Sequence, residues 1–257
     1  MALRTRSFGM TDVGRAREKN EDNYIHVPGE GLYIVADGMG GHASGRLASM
    51  LAVKHITEHM CITTREPNYT KTHPNHQQLP HQHHELTEAI RHANERIYIE
   101  ALKDPRHEGM GTTVVVIKDP SDSDELILAH VGDSRVYRYR NSQLSQVTTD
   151  HSLLNHMLAT GKLTPEEAEN FPNKNVIFRA LGLKDDVEVE ITKTTKRAGD
   201  IYLMCSDGLT DLVEDWVIAE VLQGSSQDLQ AAAQTLIRLA NHNGGTDNIT
   251  VMLVAYT

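Results

Sequence analysis

The sequence predicts a mixed α and β domain in which antiparallel strand pairing dominates. Three observations carry this: a set of short apolar runs of strand length, a Gly-Asp-Ser turn between two of them, and several segments with apolar residues at helical spacing. The 257 residues suffice for one sizeable core, and the composition demands no second one, so residues 1–257 are expected to form a single domain.

The strand signals are Leu32 to Ala36, Thr113 to Ile117, Leu126 to Val131, Val136 to Tyr139, Ile201 to Cys205 and Ile249 to Ala255. Gly132, Asp133 and Ser134 supply turn chemistry between the third and fourth, which are expected to pair as an antiparallel hairpin. Helices are expected where Leu47, Leu51, His55 and His59 recur, and again at Leu86, Ile90, Ala93, Ile97 and Ala101. Between them, Pro67 to His84 lacks apolar periodicity and carries His73, His76, His81, His83 and His84. This stretch, within a histidine-rich region of about 61–85, is expected to be an exposed loop. Thr164, Pro165 and Glu167 form a helix-start signature: a hydroxyl cap, a proline at the first helical position and a carboxylate at the third. Two later helices are expected, around Asp211 to Leu222 and from Asp228 to His242. The second has Leu229, Ala232, Ala233, Leu236 and Ala240 on one face and Gly244 beyond its end.

A formal charge of -10 argues against a nucleic-acid partner, because phosphate backbones are held mainly by excess Lys and Arg. No run approaches the roughly 18 apolar residues that would span a bilayer, so no membrane partner is expected. Met1 to Met10 hold no apolar stretch suited to a secretion signal. The two cysteines, Cys61 and Cys205, cannot build a disulfide framework, and together these features fit a cytoplasmic protein.

The chemistry is suggested by a repetition. An apolar strand ends in an aspartate followed at once by glycine, at Asp37-Gly38 and again at Asp207-Gly208. Such a carboxylate is held rigidly at a sheet end, and the glycine lets the chain turn so that a carbonyl also faces a cation. Asp133 follows Gly132, Asp247 precedes the last strand, and Glu21 and Asp22 add two more carboxylates. Any one of these alone reads as a turn or cap residue. Together they point to a metal site, because clustered like charges repel unless a cation intervenes. The oxygen-only donor set selects Mg²⁺ or Mn²⁺ over zinc or copper.

Arg17, four residues before Glu21, is read either as a fork for a phosphate or as one half of a surface salt bridge. Neither cysteine is followed six residues later by arginine, so a thiolate phosphatase loop is absent, as is a GxxxxGK[ST] nucleotide loop. Cys205, inside an apolar run, reads as a small buried hydrophobe.

Eight blocks in order resemble the type 2C, metal-dependent protein phosphatase family in its compact bacterial form. They are Arg17-Glu-Lys-Asn-Glu-Asp22, Asp37-Gly-Met-Gly-Gly-His42, Gly111-Thr-Thr113, His130-Val-Gly-Asp-Ser-Arg135, Thr149-Asp-His-Ser152, Arg179-Ala-Leu-Gly182, Cys205-Ser-Asp-Gly-Leu-Thr-Asp211 and Gly245-Thr-Asp-Asn248. The resemblance, from about Ser7 to Tyr256, implies an α+β fold: a four-layer α-β-β-α sandwich of two antiparallel β-sheets flanked by helices. It implies two Mn²⁺ or Mg²⁺ ions that ready a water for attack on phosphoserine or phosphothreonine in proteins.

Carried over by position, the resemblance implies that Asp37 would bridge the ions, and that the Gly38 carbonyl, Asp207 and Asp247 would complete the ligands of one of them. Glu21 and Asp22 would act largely through bound waters. Asp133 and Asp207 would hold a third, weaker ion, and Arg17 would grip the phosphate. The segment of about 153–178 corresponds to a mobile flap beside the site, where substrate choice would reside. Met39 departs from the animal and plant pattern, which has histidine there. The leaving-group acid is then open between solvent on a metal and a neighbouring histidine such as His42, which equally reads as a helix cap.

The expected partners are phosphorylated proteins, substrates of a serine/threonine kinase. Two rival readings are a catalytically silent relative acting as a scaffold, and a metal-sensing or metal-storage role for the histidine-rich loop. The complete carboxylate set speaks against the first, and the loop's irregular spacing against the second.

Overall fold

The computed structural model describes residues 3–40, 44–63, 81–168, 171 and 176–257. Two five-stranded antiparallel sheets form its centre. The first has β1 (Thr5–Asp12), β12 (Ile249–Tyr256), β11 (Ile201–Cys205), β8 (Arg135–Arg140) and β9 (Gln143–Gln146) in that order. The second runs β10 (Glu190–Thr195), β7 (Glu125–Val131), β6 (Val114–Lys118), β3 (Leu32–Ala36) and β2 (Asn23–Val27). A short ladder joins β4 (Gly38–Met39) to β5 (Gly111–Thr112).

The period-two alternation of side chains divides each central strand between two cores. Tyr33, Val35, Val115, Ile117, Tyr202, Met204, Met252 and Val254 pack between the sheets. Their neighbours Leu32, Ile34, Val114 and Val116 point outward against α1 (Ser44–Thr63) and α2 (His81–Lys103). On the opposite side Ile201, Leu203, Val251 and Leu253 meet α5 (Asp207–Thr210), α6 (Asp215–Leu222) and α7 (Leu229–His242). Strands buried on both faces cannot afford polar residues, which is why they read as unbroken apolar runs rather than as alternation. The four-layer α-β-β-α sandwich is present as expected.

The expected hairpin between Leu126 and Tyr139 is not formed. β7 pairs with β6 and β10, whereas β8 pairs with β11 and β9, so Gly132-Asp133-Ser134 carries the chain from one sheet to the other. A true hairpin follows instead between β8 and β9, where Asn141 and Ser142 adopt φ of 52° and 61°. The sequence reading also missed β1, β2, β9 and β10, whose residues are half-buried or exposed and so lack an apolar run.

The helices need smaller corrections. In α1 the fully packed row is Ala48, Ala52, Ile56 and Met60, leaving His55 and His59 on the flank. α2 begins at His81, so His81 to His84 are helical rather than loop; the rest of the histidine-rich stretch up to residue 80 lies outside the described residues. The helix expected from Asp211 starts later: α5 has ended at Thr210, a turn follows, and α6 begins at Asp215. After α3 (Leu153–Ala159), the cap at Thr164 is a reciprocal box: Thr164 N donates to Glu167 Oε2 at 2.9 Å and Glu167 N to Thr164 Oγ1 at 3.3 Å, opening α4 (Pro165–Ala168).

Candidate metal centre

Strand ends from both sheets meet at one edge of the sandwich, and the carboxylates lie there. Asp37 follows β3. Its backbone is fixed by Thr113, whose N–H donates to Asp37 O at 2.8 Å while its Oγ1 accepts from Asp37 N at 3.2 Å, and by Thr112 Oγ1, which donates to the same carbonyl at 2.7 Å. Gly38 has no room for a side chain: a Cβ there would lie 2.1 Å from the Gly45 carbonyl oxygen.

Asp207 opens α5 directly after β11, and Asp247 stands before β12 with its Oδ1 accepting from Asn248 N at 2.8 Å. Asn248 then pins the N-terminal loop. Its Oδ1 accepts from Glu21 N at 2.8 Å, and its Nδ2 donates to Val13 O at 2.9 Å and Lys19 O at 3.0 Å. Asp22 is buried, with Oδ2 receiving Ser206 Oγ at 2.8 Å and Thr250 Oγ1 at 2.6 Å. Asp133, also buried, sits on the crossing between sheets, where the Ser134 and Thr113 hydroxyls are 2.6 Å apart.

A cleft of about 360 Å³ opens here, lined by Arg17, Glu21, Asp37, Gly38, Asp207 and Asp247, with Ile177 of the flap region at its edge. Its electrostatics are those of too many anions in too little water. Burial, followed by the charges of Asp22, Asp207, Asp247 and Asp133, raises the Asp37 carboxyl well above its ordinary value. Burial and then Asp133 push Asp207 up to about 8, while burial pushes Asp22 and Asp133 each to about 6. One oxygen each of Glu21, Asp22, Asp133 and Asp207 is buried without a hydrogen-bond partner.

Buried carboxylate oxygens left bare cost free energy, and hard divalent cations answer both the missing bonds and the mutual repulsion. The donors present are therefore suited to Mn²⁺ or Mg²⁺.

Arg17 lies at the rim with its side chain 53% exposed, and its Nη2 donates to Asp247 Oδ2 at 2.7 Å. The salt-bridge alternative is thus realised, at a position that also overlooks the cleft. Met39 occupies β4 opposite Gly111. His42 lies outside the described residues, as do 169–170 and 172–175 of the flap.

Sequence reasoning assigned no role to Asn248, Thr113, Ser206 or Thr250, which orient the carboxylates. The signal was available in part, since Asn248 and Thr113 stand inside blocks already singled out. Two further motifs turn out to be braces. Asp150 takes Arg135 through three hydrogen bonds of 2.7 to 3.0 Å. His151 Nδ1 accepts from Gly132 N at 3.1 Å, so its Nε2 carries the proton and faces Glu190 Oε2 at 3.2 Å. His130, His151 and Glu190 bring ligand atoms within 4.8 Å of one another, yet His130 Nε2 is committed to Thr149 O at 2.8 Å and His151 Nε2 to Glu190, with the Arg179 guanidinium lying alongside. That arrangement is a hydrogen-bond network behind Asp133 rather than a metal pocket.

A family model described as protein phosphatase 2C matches residues 15–248, which include every carboxylate of the cleft. The chain belongs to the protein phosphatase 2C family. It is 38% identical over 251 residues to a serine/threonine phosphatase, Stp, of Listeria monocytogenes, covering 95% of this chain and 93% of that one. Among solved structures, it resembles the serine/threonine phosphatase PstP of Mycobacterium tuberculosis with a TM-score of 0.84 and 35% identity, over 98% of both chains. It also matches the PstP catalytic domain in complex with two manganese ions, at a TM-score of 0.80 and 34% identity over the whole of both chains. For a protein phosphatase 2C, the crowded carboxylates have their explanation in divalent cations.

Proposed function

We infer that this chain is a metal-dependent protein phosphatase, hydrolysing phosphoserine and phosphothreonine in proteins with two Mn²⁺ or Mg²⁺ ions. The observation that carries the reading is the set of four buried carboxylate oxygens without partners, on Glu21, Asp22, Asp133 and Asp207, gathered around Asp37 at one sheet edge.

For the individual roles, Asp37, at the centre of the mutual repulsion, would hold the ions together with the Gly38 carbonyl, Asp207 and Asp247. Glu21 and Asp22 would support them largely through waters, and Asp133 with Asp207 would hold a third, weaker ion. When bound, the ions supply Lewis acidity, polarising the phosphoryl oxygens and lowering the pKa of water in the cleft. Arg17 presents a planar, permanently charged fork at the rim and orients the phosphate, exchanging its contact with Asp247 for the substrate. The Met39 thioether has no proton to give, so the leaving alkoxide would be protonated from solvent or from an imidazole, for which His42 is the proposed helper. The whole of 1–257 acts as one catalytic domain, and the flap over about 153–178 selects among phosphoproteins.

Among the described residues no helix is long and apolar enough to cross a membrane. We propose a cytoplasmic site of action, opposite a serine/threonine kinase.

The test is hydrolysis of p-nitrophenyl phosphate by purified protein with Mn²⁺, which Asp37→Asn should abolish. A wild-type protein that binds Mn²⁺ but never turns over would instead be a silent scaffold. Rates on phosphoserine, phosphothreonine and phosphotyrosine peptides test the substrate class, and a preference for phosphotyrosine would overturn it.

A further inference from the structure

The outer helical layer carries a second group of ligating side chains, of a different chemical kind from the carboxylate cleft. His55 and His59 stand four apart on α1 and therefore project from the same side of that helix. His92 of α2 lies against both, with ring centroids 5.7 Å from His55 and 6.2 Å from His59. Three imidazoles sharing one tetrahedral ion through bonds of about 2.0–2.1 Å would hold their centroids roughly 5 Å apart. Across the two helices, the His55–His92 and His59–His92 pairs thus lie within about an ångström of that spacing.

The surroundings favour ligation. His55 Nδ1 is 3.4 Å from Glu58 Oε2 and His92 Nδ1 is 4.0 Å from Glu95 Oε2, so each ring can engage a carboxylate with one nitrogen and turn Nε2 towards the other rings. A carboxylate behind the imidazole is the usual companion of a metal-ligating histidine, fixing its tautomer and raising its basicity. Burial lowers the pKa of both His55 and His59, keeping them in the neutral form that binds metal. Glu88, which contacts Arg91 at 3.5 Å and His84 at 3.9 Å, adds negative charge beside His59. Lys54 and Arg96 act in the opposite sense on His55. Imidazole donors select late transition metals, whereas the oxygen donors of the cleft select Mg²⁺ or Mn²⁺.

We propose that His55, His59 and His92 form a transition-metal site, for Zn²⁺ or Ni²⁺, that ties α1 to α2 and is separate from the carboxylate centre.

The experiment is a Zn²⁺ titration of the full chain against a chromophoric chelator, with Mn²⁺ saturating the carboxylate centre. Because that centre is common to every protein compared, differences between variants report the histidine site. The wild type should bind one Zn²⁺ more than His92→Gln, with His59→Gln weakened at least tenfold and Glu58→Gln weakened within the 10- to 100-fold range of supporting carboxylates. Zn²⁺ should raise the thermal midpoint of the wild type and not of His92→Gln. Turnover with Mn²⁺ should be equal in both, which shows that the variant is folded. His73→Gln/His76→Gln/His81→Gln serves as the control for metal captured by the histidine-rich stretch. Zn²⁺ binding lost only in that control, or an identical titration and midpoint rise for wild type and His92→Gln, would overturn the proposal.

Discussion

Asp133→Asn should make the metal-free protein more stable near neutral pH while weakening its response to metal. The carboxyl is buried, and burial, followed by the charges of Asp150 and Asp211, raises it from 3.8 to about 6. A group whose pKa is higher folded than unfolded gives stability that is complete below its unfolded value and lost as pH rises through its folded one. Between about pH 4 and pH 6 the wild type therefore loses up to about 3 kcal/mol, at 1.36 kcal/mol per unit, and the asparagine variant does not. Asparagine copies the shape and neutrality of the protonated acid, so the two proteins should differ little near pH 4. Urea unfolding in EDTA across this range reads the gap directly. Mn²⁺ should then narrow or reverse it, because the wild type alone regains a ligand that prefers the charged form. A gap that does not change with pH, or a wild type more stable than the variant in EDTA above pH 7, would refute the view that this carboxylate is held against its own electrostatics.

Arg17→Ala should lower kcat/KM on a phosphopeptide by roughly 10- to 100-fold, the worth of a charge-assisted hydrogen bond, and leave Mn²⁺ affinity nearly intact. Arg17→Lys should restore only part, since an ammonium cannot grip two oxygens in a plane. Gly38→Ala places a methyl 2.1 Å from the Gly45 carbonyl oxygen, so chemical denaturation should show a loss of about 1–3 kcal/mol or more, together with lost turnover. Away from the site, Asp200 is buried and takes Arg140 at 2.7 and 2.6 Å and Arg197 N at 2.7 Å. Asp200→Ala should cost about 3–5 kcal/mol by leaving Arg140 uncompensated, without changing turnover per folded molecule.

Much of the fold was legible because four layers bury the central strands on both faces. Leu32 to Ala36, Ile201 to Cys205 and Ile249 to Tyr256 cannot hide among polar neighbours. The strands that escaped notice do the opposite. In β10 the run Glu190-Ile-Thr-Lys-Thr-Thr195 is half-buried to exposed, and its place in the sheet is fixed by the register Ile191 to Ala129 rather than by its own apolarity. The cleft was legible for a different reason: an aspartate at the end of a buried strand is chemically out of place, and two such ends, Asp37 and Asp207, announced the same need. The residues that hold them could not be read this way. Asn248 and Thr113 are polar groups of ordinary appearance, and their meaning lies in the distances to Glu21 N and Asp37 O.

The misread hairpin shows what the site requires. Gly, Asp and Ser serve equally in a turn that folds a strand back on itself and in one that passes between sheets, so composition does not separate the two. The decision is made by the partners: β7 already has β6 and β10 on its two edges, leaving no edge for β8. Gly132 accordingly adopts φ of 108°, pressed so close to Thr113 that a Cβ would lie 2.6 Å from the threonine side chain. The crossing it permits carries Asp133 over the gap between sheets to within electrostatic reach of Asp37 at the end of β3 and of Asp207 beyond β11. A hairpin would have kept Asp133 at the end of one sheet alone. The carboxylate cluster therefore depends on the sandwich itself: only a chain that changes sheets at this point brings the two sets of strand ends to one cluster of anions.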